Sequence, residues 1–465
     1  MKPYIIYSAL TALTLMAVGC SKADLYDPVP PDDLNDTSFD FNLSMKDYVK
    51  RENPKLESSD CGQHVTDMRI YVFRSETGVG DDSFTYYQPT VGDAGPQDYF
   101  KVDDFNYTDA PEHITGNWTY TINPQLPKGY YRFLAVGRDE DAREQYGDDI
   151  SIAWDKSTTW SNALISASDP QPSEEIFTGY PCGVDNKPLA FHVDKVKAFS
   201  VSIDLYRAVA GVLLYVENLP DQLVSDFSWN ATRTVTTNDD DGNSVETEVT
   251  YTVVASGETY PISEIAVVTP GYSATMNLPQ RHWTEESFIP ETQEFTSAKL
   301  VSFDMAQIRA DKQDLKDQDG YYSVSQRVGS FVFPAQMKGR TIELAYIPED
   351  EDAAEVTYSF PASMYLAFFT EKDGKKYPVK MLPVIDERQT PHLPGGPSFY
   401  TPAELSVNKS QFNLVCNNIY CLGDYRTEGS NPPIDDPIDL KEVLNKAELN
   451  ITVIGNWQAD VDINL

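Results

Sequence analysis

Apolar residues in this chain come in short runs, alternating or continuous, with turn residues between them, and that rhythm constrains the fold more than any other feature. Met68-Arg69-Ile70-Tyr71-Val72-Phe73, Trp118-Thr119-Tyr120-Thr121-Ile122 and Tyr130-Tyr131-Arg132-Phe133-Leu134-Ala135-Val136 are of strand length. On an extended backbone successive side chains point to opposite faces, so a period of two buries one face. Phe199-Ser200-Val201-Ser202-Ile203-Asp204-Leu205 alternates cleanly, and Arg207 to Val216 follows as an apolar run that Asn218-Leu219-Pro220 stops. Phe331 to Phe333, Ile342 to Tyr346 and Met364 to Phe369 continue the pattern. With 28 Tyr and 21 Phe beside 31 Pro and 25 Gly, composition favours strands joined by turns. The expected class is all-β, and both halves share the rhythm of a sandwich.

Local exceptions are few. Asp304 to Gln318 is the best helix candidate, with alternating charge and little apolar face. Lys372-Asp373-Gly374-Lys375 predicts a tight hairpin, Asp-Gly being the signal for one. Thr232–Thr237 and Val245–Val254 predict a longer hairpin that turns through Asn238-Asp239-Asp240-Asp241-Gly242-Asn243. That turn superficially resembles a calcium loop, but Thr237 holds the first ligand position and strands flank it, so the hairpin reading is preferred.

The first twenty residues read as an export signal: Met1 and Lys2, a mostly apolar stretch from Tyr4 to Val18, and the small residues Ala17-Val18-Gly19. The stretch is too short for a stable membrane span. Cys20 follows directly and resembles the lipobox cysteine of bacterial lipoproteins, although Ala17 stands where that pattern usually has Leu. The resemblance implies an acylated thiol and a cut just before it, leaving Cys20 as the lipid-bearing first residue. Ser21 to about Ser59, rich in Asp, Pro and Asn, reads as a tether between lipid and fold. Within it, Lys50-Arg51-Glu52 is a basic pair that a trypsin-like protease could cut, or simply two solvated charges. The expected plan is a signal over 1–19, a tether over 20–60, an N-terminal β-sandwich over 61–196 and a C-terminal one over 197–465.

The formal charge is −36, and removing the signal, whose only charge is Lys2, gives 35 − 72 = −37. Such a surface repels nucleic acid and anionic headgroups, which argues against both as partners. If Cys20 carries lipid, Cys61, Cys182, Cys416 and Cys421 remain, an even number compatible with disulfides in an oxidising compartment. Cys416 and Cys421 would face opposite ways on one strand, and a Cys61–Cys182 bridge is open. The five His are scattered and no second Cys pair suits zinc, so no metal and no cofactor are expected.

At the other end, Phe412 to Leu422 leads into an acidic loop, Glu448 to Trp457 reads as a strand, and Asp460-Val461-Asp462-Ile463-Asn464-Leu465 keeps a period of two to the last residue. Taken in order, several of these stretches resemble the fimbrillins, pilus subunits of Bacteroidales: the cysteine at 20, Val65 to Phe73, Tyr130 to Gly137, Leu205-Tyr206-Arg207-Ala208-Val209-Ala210, Cys416-Asn417-Asn418-Ile419-Tyr420 and the terminal Ile451-Thr452-Val453 to Trp457. The family commonly has a basic residue where Cys416 stands. The resemblance covers nearly the whole mature chain and implies two tandem transthyretin-like sandwiches, export as an outer-membrane lipoprotein, and assembly with other fimbrial subunits by strand exchange. It further implies Arg51 as the point where a stalk precursor is cut, and the strands between Leu449 and Leu465 as the donor, with Val461, Ile463 and Leu465 facing inward. An anchor subunit would instead keep its lipid and tether.

A second reading is a tethered glycan-binding lipoprotein, with Trp118, Trp154, Trp160 and Trp283 as stacking candidates against the more common role of aromatics in cores. An enzyme is the third. With 72 acidic residues the chain has carboxylates enough for a glycosidase-type pair, but it has no serine nucleophile elbow, no HExxH and no phosphate loop. A binding or scaffolding role without catalysis is expected.

Overall fold

The alternating runs form strands wherever one side of them meets apolar cover. The computed structural model describes residues 34–45, 65–92, 95–107, 117–140, 143–144, 150–167, 174–238, 244–270, 275–283, 299–335, 340–344, 356–388, 409–426, 434–446 and 448–454. Over these the chain is almost wholly β, as the periodicity predicts.

The first half is built on one sheet. Its main strands are β1 (Leu34–Met45), β2 (Asp67–Ser75), β3 (Asn117–Ile122), β4 (Gln125–Pro127), β5 (Gly129–Arg138), β6 (Leu164–Ala167), β7 (Phe177–Gly179) and β8 (Lys197–Arg207), of which only β6 lies outside it. The order β2-β5-β7-β8-β1-β3 carries the sheet over on itself. Inward residues of β1 and β8 (Phe39, Phe41, Val201, Ile203) therefore share a core with those of β2 and β5 (Ile70, Val72, Phe133). The fold-over passes through β7, where a Cβ on Gly179 would sit 2.1 Å from the Asp204 carbonyl oxygen. Only glycine allows the two backbones to approach so closely.

Two five-stranded sheets make up most of the second half. One holds β9 (Ala210–Pro220) between the antiparallel β13 (Tyr321–Val332) and the parallel β16 (Ile419–Leu422), with β18 (Thr452–Ile454) beyond. In the other, β10 (Glu264–Val268) lies between β12 (Lys299–Asp304) and β14 (Tyr365–Lys372), followed by β15 (Lys375–Ile385) and β17 (Leu449–Asn450). Apolar residues of both sheets merge in one core. The run from Ala210 to Val216 is buried throughout because both of its faces are covered.

Several expectations are met in detail. Helix α1 (Met305–Asp311) starts as expected at Asp304, whose carboxylate accepts from the Ala306 amide at 2.6 Å, but it ends well short of Gln318, with only a 3-10 turn at Gln313–Leu315 beyond it. Lys372 pairs with Lys375 across a two-residue turn in which Asp373 and Gly374 have φ of 53° and 74°. Thr237 pairs with Val245 in the long hairpin, while its turn, 239–243, lies outside the described residues.

Three expectations are corrected. Leu34–Met45, assigned to the tether, is a twelve-residue strand. The boundary at 196/197 falls before β8, which pairs with β1 and β7 and so belongs to the first sheet. Alternation marked β8 as a strand, but alternation alone does not say which sheet a strand joins. Finally, the run from Cys416 to Asn418 is a turn, and the strand starts at Ile419. Asn417 sits at φ 59°, a conformation asparagine tolerates better than most residues, and its amide bonds the Val209 carbonyl at 2.8 Å.

The halves are joined side by side rather than strung apart. β6 pairs antiparallel with β11 (Thr275–Asn277), the Thr178 hydroxyl donates to the Leu278 carbonyl at 3.1 Å, and Trp160 and Tyr180 of the first half share a core with Ala208 and Val209.

Candidate functional site

β1 precedes every other described element, and the chain between it and β2, residues 46–64, contains the candidate cleavage point Arg51. Thr37 to Met45 pair parallel with Lys197 to Leu205 of β8, and Phe39 to Ser44 pair antiparallel with Ile122 to Asn117 of β3. Leu34 to Asp36 pair with β4, and the Thr37 amide bonds the Pro124 carbonyl at 3.2 Å. β1 thus has a ladder partner along its whole length and partners on both edges from Phe39 to Ser44.

Its side chains divide by parity. Phe39, Phe41, Leu43 and Met45 are buried, between 0% and 6% exposed. The Phe39 ring lies 4.8 Å from Phe133, 5.1 Å from Phe199 and 6.4 Å from Phe191, and Phe41 lies 5.0 Å from Phe133. The opposite parity is polar. Thr121 donates to the Asp40 carboxylate at 2.7 Å, Thr119 to the Asn42 side-chain oxygen Oδ1 at 3.2 Å, and Asn42 Nδ2 to the Ser200 hydroxyl at 3.3 Å. Burying a large apolar side chain contributes about 1.5–3 kcal/mol, so the four inward residues provide most of the grip and the main chain sets the register.

The wall that holds β1 is itself anchored. β8 ends in Arg207, 1% exposed, whose Nε bonds Glu175 at 2.8 Å and whose Nη1 donates to the Asn417 side-chain oxygen at 3.1 Å. The neighbouring Glu174 accepts from Arg138 Nε at 2.8 Å and from the Asp139 amide at 2.6 Å. Adjacent carboxylates thus tie β5, β8 and the turn before β16 together, independently of β1.

Cys20, Arg51, Val461, Ile463 and Leu465 all lie outside the described residues. Of the donor stretch Leu449–Leu465, the first part is already committed: Leu449–Asn450 pairs with β15 and Thr452–Ile454 with β16 of the same chain. The inward residues of β1 were missed by sequence reasoning. Their signal is the strict alternation of Ser38-Phe39-Asp40-Phe41-Asn42-Leu43-Ser44-Met45, masked by the Asp- and Pro-rich residues before it. Cys182, Cys416 and Cys421 are present as thiols. Among the tryptophans, Trp160 is core at 1% exposed, Trp118 packs on Phe105 at 4.3 Å, and Trp154 is half-buried. Among the described residues no group of His, Cys, Asp and Glu is placed to hold a metal, and no helix is long and apolar enough to cross a membrane.

No family model and no curated protein sequence matches the chain. Solved structures do. The tip fimbrial protein Mfa3 from Porphyromonas gingivalis, with a C-terminal truncation, is 11% identical over 83% of this chain and 91% of its own, with a TM-score of 0.30. The fimbrial anchor protein Mfa2 from the same organism is 10% identical over 75% and 99%, with a TM-score of 0.23. A candidate cell adhesion protein from Parabacteroides distasonis is 9% identical over 91% and 98%, with a TM-score of 0.36. Scores this low carry no conclusion about function.

Proposed function

We propose that this chain is a structural subunit of an adhesive fimbria, exported as an outer-membrane lipoprotein through Cys20 and joined to its neighbours by strand exchange. In this reading a cut after Arg51 frees β1, and the terminal stretch of another subunit, with Val461, Ile463 and Leu465 inward, takes its place. Division into two β modules, meeting between Arg207 and Ala210, belongs to the same proposal.

One observation carries the reading: β1 is paired on both edges from Phe39 to Ser44 and has a buried apolar face, and the candidate cleavage point lies six residues beyond its last residue, Met45. Losing it would bare two unpaired strand edges and an aromatic-lined groove, which an incoming strand of the same polarity satisfies through main-chain bonds and alternate side chains. Residues 455–465 would span about 36–40 Å if extended, enough for the nine-residue ladder of β1 with β8. An uncut chain keeps its own β1 and its lipid, the arrangement suited to an anchor.

The test compares three purified chains: one starting at Cys20, one starting at Glu52, and one starting at Glu52 but ending at Ile454. Only the second should polymerise, giving a ladder of stable oligomers, while all three keep a β-type circular dichroism spectrum. A monomeric second chain, or a third chain that polymerises equally well, would overturn the proposal.

A further inference from the structure

Away from the β1 cleft, and beyond the subunit role, a second concave site lies on the other face of β2. Where Ile70 and Val72 point into the core that holds β1, Tyr71 and Phe73 belong to the opposite core. Beside Tyr71 opens a cavity of about 370 Å³, lined among others by Trp154, Tyr99, Tyr86, Arg69 and Asp98. That volume lies in the range of small-ligand sites, roughly 300–1,000 Å³. A cavity beside Cys182 and Arg281 measures about 140 Å³ and falls short of it.

The lining is aromatic and polar at once, and each aromatic group is held in place. Trp154 donates its indole N–H to the Leu164 carbonyl at 2.6 Å and meets the Tyr71 ring edge-on at 4.8 Å. Tyr86 donates its hydroxyl to the Asp98 carbonyl at 2.6 Å. The Arg69 guanidinium lies 4.5 Å above the Tyr99 ring and bonds Asp67 through Nε at 3.1 Å. Asp98 is exposed and its carboxylate accepts from Gln88 at 2.5 Å. A purely apolar ligand would strip water from Arg69 and Asp98 without replacing it, which is costly. An anion would meet Asp98 and two arginines, Arg69 and Arg138, that already have carboxylate partners in Asp67 and Glu174. A ring with one apolar face and a rim of hydroxyls satisfies both kinds of wall, because each hydroxyl both donates and accepts.

We infer that this cavity binds a neutral saccharide, one sugar ring lying on Trp154 with its hydroxyls bonded to Asp98 and Arg69. The site does not depend on strand exchange: β1 can stay or leave without touching Trp154, so failure of one proposal leaves the other standing.

The experiment titrates the chain starting at Cys20 with maltotetraose, mannotetraose, lacto-N-tetraose and N,N′-diacetylchitobiose, and with sialyllactose as the charged arm. Calorimetry and tryptophan fluorescence are the readouts. At least one neutral probe should bind saturably, and Trp154→Ala should weaken it about tenfold or more, the loss of a stacking partner and its buried area. Asp98→Asn, at an exposed position, and Tyr99→Ala, at the edge of the core, should weaken it as well and decide the matter if Trp154→Ala does not fold. Absence of binding to every neutral probe up to about 10 mM, weaker than any useful affinity, would overturn the inference. So would binding unchanged in the variants, or binding of sialyllactose alone.

Discussion

In a chain that begins at Glu52, β1 becomes a separate peptide, and its hold on the rest can be measured as an affinity. Phe39 is the side chain to remove: it is fully buried and has three aromatic rings within 6.4 Å on β5, β8 and the Phe191–Val193 strand. Truncating a core Phe to Ala costs about 3–5 kcal/mol, and about 1.4 kcal/mol corresponds to a factor of ten. A Phe39→Ala peptide spanning 34–45 should therefore bind roughly 10²–10⁴-fold more weakly than the natural one. Asn42→Ala, on the polar face, should change affinity by about a factor of two, since exposed substitutions stay within roughly 0.5 kcal/mol. The assay is fluorescence anisotropy of labelled peptide titrated with the chain from Glu52. The reasoning fails if the two variant peptides bind alike, or if the natural peptide does not bind a chain that circular dichroism shows to be folded.

Other consequences can be checked separately. Gly179→Ala must push the Asp204 backbone aside and should cost about 1–3 kcal/mol or more, seen as a lowered thermal midpoint. Glu175→Gln removes the carboxylate that neutralises the buried Arg207 and should destabilise by about 3–5 kcal/mol, whereas replacing Arg207 and Glu175 together by Met and Leu should recover much of that loss. The recovery is the diagnostic, since simple loss of packing would not reverse. Burial raises the Asp67 carboxyl, but Arg69 and Arg143 outweigh it and hold the group below its ordinary value of 3.8. A carboxylate depressed in the folded state stabilises it above the unfolded pKa, and that contribution disappears as pH falls through the folded value. Acid denaturation of Asp67→Asn should accordingly show a shallower loss of stability below about pH 4 than the natural chain, measured by urea midpoints across the range.

Much of the secondary structure was legible in order along the chain. The period of two between Phe199 and Leu205, the Asp373-Gly374 turn and the helix capped by Asp304 each depend on neighbours a few residues away, so local chemistry suffices to specify them. Composition misled at Leu34–Met45, where the surrounding Asp and Pro suggested a solvated tether although the residues themselves alternate strictly.

What no local pattern could supply was the partner of each strand. Thr37 lies beside Lys197, and the second-half strand Thr275–Asn277 pairs with the first-half strand Leu164–Ala167. Alternation tells a strand which side to bury but is indifferent to what covers it, so only the closed core decides that β1 fills a groove instead of trailing into solvent. The strand class of this protein therefore belongs to its sequence. The cleft, the shared core of the two halves and the aromatic cavity behind Tyr71 exist only once distant segments have met.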